Sequence, residues 1–238
     1  ENLEADGILI PGGFGNRGLD QQIVEKLKLK CSKPKLNDWK RVTKLESEQK
    51  GETKIAMVGK YTELVDSYKS VNEALIHAGI HNKTNVKIEY IDSERFNKGV
   101  ENLEADGILI PGGFGNRGVK GMLNVAKFAR ENNIPYFGIC LGMQVAVIEF
   151  ARNVLKLDAD STEFKKNTQH PVIGLITEWL DEDGLIQYRS EDSDKGGTMR
   201  LGSQVCHLKK NSKMAKLYKR LKIFERHRHR YEFNGNYE

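Results

Sequence analysis

Cysteine is scarce in this 238-residue chain. There are three, Cys31, Cys140 and Cys206, and their spacing forms no pair. That argues against a disulfide framework and against a thiolate zinc site, and it points to a reducing, cytoplasmic setting. Long apolar runs are missing as well, so no segment reaches the roughly 20 residues of a membrane-spanning helix. No signal-peptide pattern stands at the start. The chain begins at Glu1 without a Met, so this start need not be the natural one. Charge of one sign is not in excess: 38 basic residues are interleaved with 33 acidic ones, for a net charge of +5. A mixed surface of this kind gives little support to a nucleic-acid partner, and no membrane partner is expected. What remains is 38% hydrophobic and 30% charged, which suits one soluble domain of ordinary size, with or without an appendage.

Residues 1–18 and 101–118 are identical, from Glu-Asn-Leu-Glu to Asn-Arg-Gly. Two copies do not make a solenoid. The second copy sits in a regular β/α alternation and the first does not, which suggests a recent duplication or a join made in assembling the sequence. The first copy is expected to stay out of the sheet, because two copies of one strand cannot fill one slot. Residues 19–30 show helical spacing of Ile23, Val24, Leu27 and Leu29, and residues 31–53 read as a polar linker with Trp39 as its one aromatic anchor. A compact domain is expected from Lys54. Buried strands are predicted at Ile55–Val58 and Gly107–Ile110, an alternating strand at Val86–Ile91, and a strand into the second turn described below at Pro135–Ile139. Helices are predicted at Ser67–Gly79, with Gly79 as the cap, at Val119–Glu131, and at Met143–Leu155. This alternation implies an α/β fold, a mostly parallel sheet flanked by helices. Segments at Val172–Ile176, Thr198–Leu208 and Ile223–Phe233 look like strands without helices between them, an antiparallel addition.

Two glycine-rich turns follow neighbouring strands. One is Pro111-Gly112-Gly113-Phe114-Gly115 and the other is Gly138-Ile139-Cys140-Leu141-Gly142. In open α/β sheets such turns share the crevice beyond the strands' carboxyl ends. The second is a strand–turn–helix elbow with cysteine in the nucleophile position. The helix that follows presents its positive end to the sulfur and is expected to lower that thiol's pKa. The residues alone leave open a buried structural cysteine. A thiolate attacking a carbonyl needs amide donors for the oxyanion, and Gly113 and Leu141 are candidates. The first turn is otherwise a phosphate-binding or plain tight turn. No Gly-Lys-Ser/Thr follows it, which counts against a P-loop.

Gly-Ile-Cys-Leu-Gly-Met-Gln at 138–144, with Pro-Gly-Gly-Phe-Gly upstream, resembles the class I glutamine amidotransferases, a flavodoxin-like fold. Val58-Gly59-Lys60-Tyr61, Ser161-Thr162-Glu163-Phe164, Gly196-Gly197-Thr198-Met199-Arg200-Leu201-Gly202 and the run from Glu225 to Glu232 narrow the resemblance to CTP synthases over residues 19–238. The resemblance implies a ligase of pyrimidine biosynthesis that hydrolyses L-glutamine and uses the ammonia to aminate UTP to CTP with ATP. It implies Cys140 as nucleophile and Gly113, Leu141, Gly142, Met143, Gln144, Glu163 and Arg230 as the glutamine-binding residues. Glu163 suits the α-ammonium and Arg230 the α-carboxylate. Without the resemblance, Glu163 is an ordinary surface carboxylate and the strand ending at Arg230 a solvated basic face or a phosphate-binding patch. The implied organisation is 1–18 as a duplicated segment, 19–53 as helix and interdomain linker, and 54–238 as the amidotransferase domain. ATP and magnesium belong to a synthetase domain with no counterpart in these residues, GTP is the implied activator, and the family assembles as homotetramers. No metal is assigned to this chain.

One departure bears on activity. The family's Phe-His-Pro-Glu motif, which supplies the histidine and glutamate of the triad, does not occur before Glu238. The expectation is therefore divided between a glutaminase and an amidotransferase-like chain without turnover. A different class I amidotransferase or a glutamyl hydrolase is a third reading, disfavoured by the linker and the Gly-Gly-Thr-Met-Arg-Leu-Gly segment.

Overall fold

The computed structural model describes residues 19–30, 37–62, 65–175, 178–180, 186–188 and 199–238. The expectations for residues 1–18, for Cys31 and for Gly196–Thr198 lie outside the described residues. The chain divides into two units, residues 1–51 with 77–85 and residues 52–76 with 86–238.

In the first unit, α1 (Leu19–Lys26) is shorter than the helical spacing predicts, and Lys28 turns away with φ 51°. Helix α2 (Asn37–Ser47) lies where a linker is expected. Asp38 in its first turn and Lys44 in its last complement the helix dipole, and Trp39, Val42 and Leu45 recur three residues apart as a narrow apolar stripe. None of its residues is buried, and Trp39, expected as an anchor, is 69% exposed. After α2 the Lys50 amide donates to the Lys83 carbonyl at 2.7 Å, and Lys83 pairs with Glu48 at 2.8 Å.

The second unit holds the sheet. Strand β1 (Glu52–Gly59) leads through a 3₁₀ turn (Val65–Tyr68) into α3 (Lys69–Asn82) and β2 (Asn85–Asp92). Helix α3 begins two residues later than expected and runs through Gly79, which is buried within it; the positive φ that ends it falls on Lys83. Then come β3 (Gly107–Ile110), α4 (Val119–Glu131), β4 (Tyr136–Gly138) and α5 (Leu141–Asn153). The sheet order is β2-β1-β3-β4, with β1 and β4 both parallel to β3. All four residues of β3 are buried, as the central strand of a parallel sheet covered on both faces must be. Helix α4 buries Val119, Met122, Val125, Ala126 and Ala129, and α5 buries Leu141, Val145, Ile148 and Ala151, each a single helical stripe. One charged group joins these helices. Glu149 is 2% exposed and accepts from Arg130 Nε at 3.0 Å, from its Nη2 at 2.8 Å and from Asn153 Nδ2 at 3.1 Å.

Smaller sheets follow. Strands β5 (Ala159–Ser161) and β6 (His170–Leu175) run parallel, β7 (Glu178–Leu180) and β8 (Ile186–Tyr188) form a hairpin-like pair, and β9 (Arg200–His207) is next. A helix intervenes where none is expected: α6 (Lys213–Tyr218), capped by Ser212, whose hydroxyl accepts from Ala215 N at 3.1 Å. The last expected strand is two, β10 (Lys222–His229) and β11 (Tyr231–Phe233), with a bend at Arg230. Strand β10 pairs antiparallel with β9, and β11 antiparallel with β6. The antiparallel addition is thus several small sheets, and the β5–β6 pair within it is parallel. Among the described residues no helix is long and apolar enough to cross a membrane.

The burial contrast sets a stability test. Ile148 is fully buried, so Ile148→Ala should cost about 2–5 kcal/mol in urea unfolding. Trp39→Ala, at an exposed position, should stay within about 0.5 kcal/mol of the parent. Equal losses at the two positions would contradict the core described here.

Candidate active site

Strand order in the sheet reverses between β1 and β3, so the crevice beyond their carboxyl ends is where an open α/β sheet binds ligands. Lys60 follows β1, the Gly112–Gly115 turn follows β3, and Cys140 follows β4. Cys140 takes φ 54° and ψ −108°, a conformation that non-glycine residues rarely hold without compensation. The neighbours show why it holds. A Cβ on Gly142 would strike the Ile110 carbonyl, and one on Gly138 would strike the Gly142 carbonyl group. Only glycine at both positions lets α5 start this close to the sheet. The Tyr136 hydroxyl, buried beneath, donates to the Gly142 carbonyl at 2.7 Å and fixes the first turn. Helix α5 begins at Leu141, two residues before its expected start, and so abuts the sulfur directly.

The two glycine turns meet at Cys140, where a Cβ on Gly112 would sit 3.4 Å from the cysteine Cβ and 3.9 Å from its sulfur, and the Gly113 and Leu141 amides act on that sulfur, one from each turn. They favour the thiolate. Burial opposes them and is the larger effect, and the Glu163 carboxylate acts in the same direction as burial. The resting thiol is therefore pushed up, not down, which corrects the expectation drawn from the helix dipole.

The other candidate residues lie around this centre. Leu141 and Gly142 form the first turn of α5, and Met143 lines a cleft of about 360 Å³ together with Cys140, Gln144, His227 and His229. Gln144 is buried and its Nε2 donates to the Tyr231 carbonyl at 2.9 Å, which ties the β10–β11 corner to α5. Arg230 stands at that corner, and its buried Nε has no hydrogen-bond partner among the described residues. Glu163 lies across the sulfur, where its Oε1 accepts from the Gly115 amide at 2.9 Å. Gly113, Glu163 and Arg230 flank the cysteine without lining the 360 Å³ cleft. Among the described residues no group of three or more His, Cys, Asp or Glu side chains gathers to hold a metal.

The histidines of β10 are engaged with one another. His227 Nδ1 lies 2.8 Å from His229 Nε2, and His229 Nδ1 lies 3.1 Å from the Tyr231 carbonyl. Burial pushes both rings below the usual imidazole range, and their positive neighbours act the same way: Arg200 on His227, and His227 with Arg200 on His229. Among the described residues no histidine ring bonds Cys140, whose sulfur lies 3.8 Å from the Arg228 carbonyl. Two residues at the site escaped the sequence reading. Lys60 was visible only as part of a motif, and Arg117 only as a member of the repeat. The signal for Lys60 was a cation directly after an apolar strand. Iodoacetamide labelling of Cys140 followed against pH should show a midpoint above the ordinary cysteine value of roughly 8.5. A midpoint below that value would mean that the two amides outweigh burial.

Comparison with known proteins agrees with this geometry. The family described as Glutamine amidotransferase class-I matches residues 63–238. A solved structure of the Trypanosoma brucei CTPS glutaminase domain with bound acivicin is 44% identical, with a TM-score of 0.64, over 78% of this chain and 69% of that one. The elbow, the facing glycine turn and the parallel sheet that carries them belong to one fold and one family: this chain is a member of the class I glutamine amidotransferases, similar to the CTP synthase glutaminase domain.

Proposed function

We propose that the chain hydrolyses L-glutamine at Cys140 to supply ammonia for amination of UTP to CTP, as the amidotransferase part of a CTP synthase. The observation that carries this reading is the positive-φ Cys140 elbow, open to a cleft and packed against the Gly112–Gly113 turn, so that the Gly113 and Leu141 amides act on its sulfur. In this reading Sγ attacks the side-chain carbonyl carbon and the carbonyl π pair moves onto oxygen, where the two amides receive it. Collapse breaks the C–N bond, the nitrogen takes up the proton given up by the thiol and leaves as ammonia, and water then cleaves the thioester, giving glutamate and returning a proton to the sulfur. The unpartnered Arg230 Nε suits the α-carboxylate, and Glu163 suits the α-ammonium. An ammonium on Glu163 also cancels the charge that helps hold the thiol up, so substrate binding favours the thiolate when it is needed. Gln144 and Met143 complete the wall from the α5 side.

The domain reading that accompanies this is 54–238 as amidotransferase, 19–53 as the connection to a synthetase domain, and 1–18 as a duplicated piece with no domain of its own. ATP and magnesium would serve the synthetase domain and GTP would act as activator. The assembly would be a cytoplasmic homotetramer. One observation favours a second reading, glutamine binding without turnover: both ring nitrogens of His229, and His227 Nδ1, are committed within β10 and its corner, leaving Cys140 without a bonded base among the described residues. Loss of the base from such a unit lowers the rate by about 10⁴–10⁶-fold.

Two measurements separate the readings. Acivicin should label Cys140 and spare Cys31 and Cys206 in peptide mapping. Arg230→Met should raise its half-saturating concentration by roughly 10–150-fold, the worth of a charged hydrogen bond. Ammonia release at an enzymatic rate, lost in Cys140→Ala, establishes hydrolysis. Labelling without ammonia release selects the second reading, and absence of any labelling rejects both.

A further inference from the structure

Lys60 takes no part in the attack drawn above, yet it is only 4% exposed and sits at the end of β1 facing the glycine turn. The backbone at Lys60 and Tyr61 is held from two sides. The Arg117 guanidinium donates to the Lys60 carbonyl and is itself fixed by Glu94 at 2.9 Å and Asp92 at 3.5 Å. The Tyr61 amide donates to the Tyr68 hydroxyl at 3.1 Å, in a space that only Gly59 leaves open. From this anchored base the Lys60 ammonium donates to the Phe114 carbonyl at 3.0 Å and to the Gly115 carbonyl. Its stem packs on Gly113, where an added Cβ would sit 3.3 Å from Lys60 Cδ. On the far side the Gly115 amide is taken by Glu163.

A turn with three glycines in four residues has little stiffness of its own. An oxyanion donor is worth most when it is already aimed before the reaction begins, and a displacement of about 1 Å is costly. We propose that Lys60 is a positioning residue for the chemistry at Cys140: it clamps the carbonyls of Phe114 and Gly115 and so aims the Gly113 amide at the sulfur and the developing oxyanion. The proposal rests on the glutaminase reading of Cys140. It also accounts for a buried cation, whose desolvation pulls its pKa down while the nearby Glu163 charge acts against that loss. The two carbonyls take the place of water around the ammonium.

The test compares two electrophiles on Lys60→Met, which keeps the stem and removes the donor. Thiolate addition to the C=N carbon of acivicin puts negative charge on the ring nitrogen before chloride leaves, the counterpart of the oxyanion, whereas displacement of iodide from iodoacetamide asks only for the thiolate. The maximal acivicin labelling rate should fall on the order of 10²-fold, with half-saturation within about threefold and the iodoacetamide rate within about twofold of the parent. Lys60→Arg, which keeps a cation with donors, should recover part of the acivicin rate. Should Lys60→Met not fold, Lys60→Gln, whose uncharged donor is one bond shorter than the ammonium and cannot hold both carbonyls, carries the same comparison with a smaller fall expected. An unchanged acivicin rate overturns the clamp. A parallel fall with both electrophiles also overturns it, because Lys60 would then act on the thiol or the fold. A parent chain that acivicin never labels overturns the glutaminase reading itself, a result distinct from either.

Discussion

Everything at the site depends on how close the backbone of α5 comes to the end of β3. Gly142 meets the Ile110 carbonyl and Gly138 meets Gly142, with no room for a Cβ at either place. That approach forces Cys140 into its positive-φ conformation, a local cost of about 1–3 kcal/mol that the packed core around it must offset. It also decides what the sulfur meets. With α5 against the sheet, the Leu141 amide comes from behind and the Gly113 amide from the neighbouring strand's turn. A looser packing of the helix would keep the cysteine and lose the pair of donors.

The same closeness has an electrostatic consequence. The amides that prepare the site for an oxyanion do not outweigh the burial that pushes the half-buried Cys140 thiol up. Glu163 adds negative charge on the Gly115 side, and the histidines of β10 are driven towards neutrality by burial and by Arg200. The basic run in the sequence suggests a cationic strand beside the cysteine. Strand alternation divides it: Arg226 and Arg228 are exposed, while His227 and His229 turn inward and share a hydrogen bond. The cleft is lined by Arg226 and Arg228 as well as by the two rings, whose charged forms burial disfavours, while Arg230 stands apart at the corner.

Much of this was legible in the sequence because burial on two faces leaves a strong signal. Strand β3 and helix α4 fall where their apolar runs and glycine punctuation put them, and the elbow announces itself through Gly138 and Gly142. The readings that differ have a common origin. Helix α2 carries only a narrow apolar stripe, Trp39, Val42 and Leu45, in a polar stretch that looks like a linker, and its lone tryptophan is not buried by anything in the described unit. Helix α6 is six residues long, and its main signal is the cap at Ser212. The direction of the Cys140 shift was misjudged because a helix dipole is visible in one dimension and desolvation is not. Lys60 illustrates the same limit. Its identity is plain in the sequence, but its role comes from a turn more than 50 residues away.

Long-range anchoring of this kind explains why the first glycine turn can be so permissive in sequence and still fixed in space. Pro111, Gly112, Gly113, Phe114 and Gly115 present no bulky side chain that could wedge the turn in place except Phe114, which is exposed. The constraint has to come from polar groups on other elements, and it comes from three: Lys60 after β1, Glu163 after β5, and the Cys140 centre after β4. Each grips backbone, not side chain. Backbone hydrogen bonds fix carbonyl and amide directions directly, and those directions are what an oxyanion site must control. Glycine is then favourable at this turn: it lets the amide approach the sulfur, while neighbouring elements supply the rigidity that its own side chain cannot.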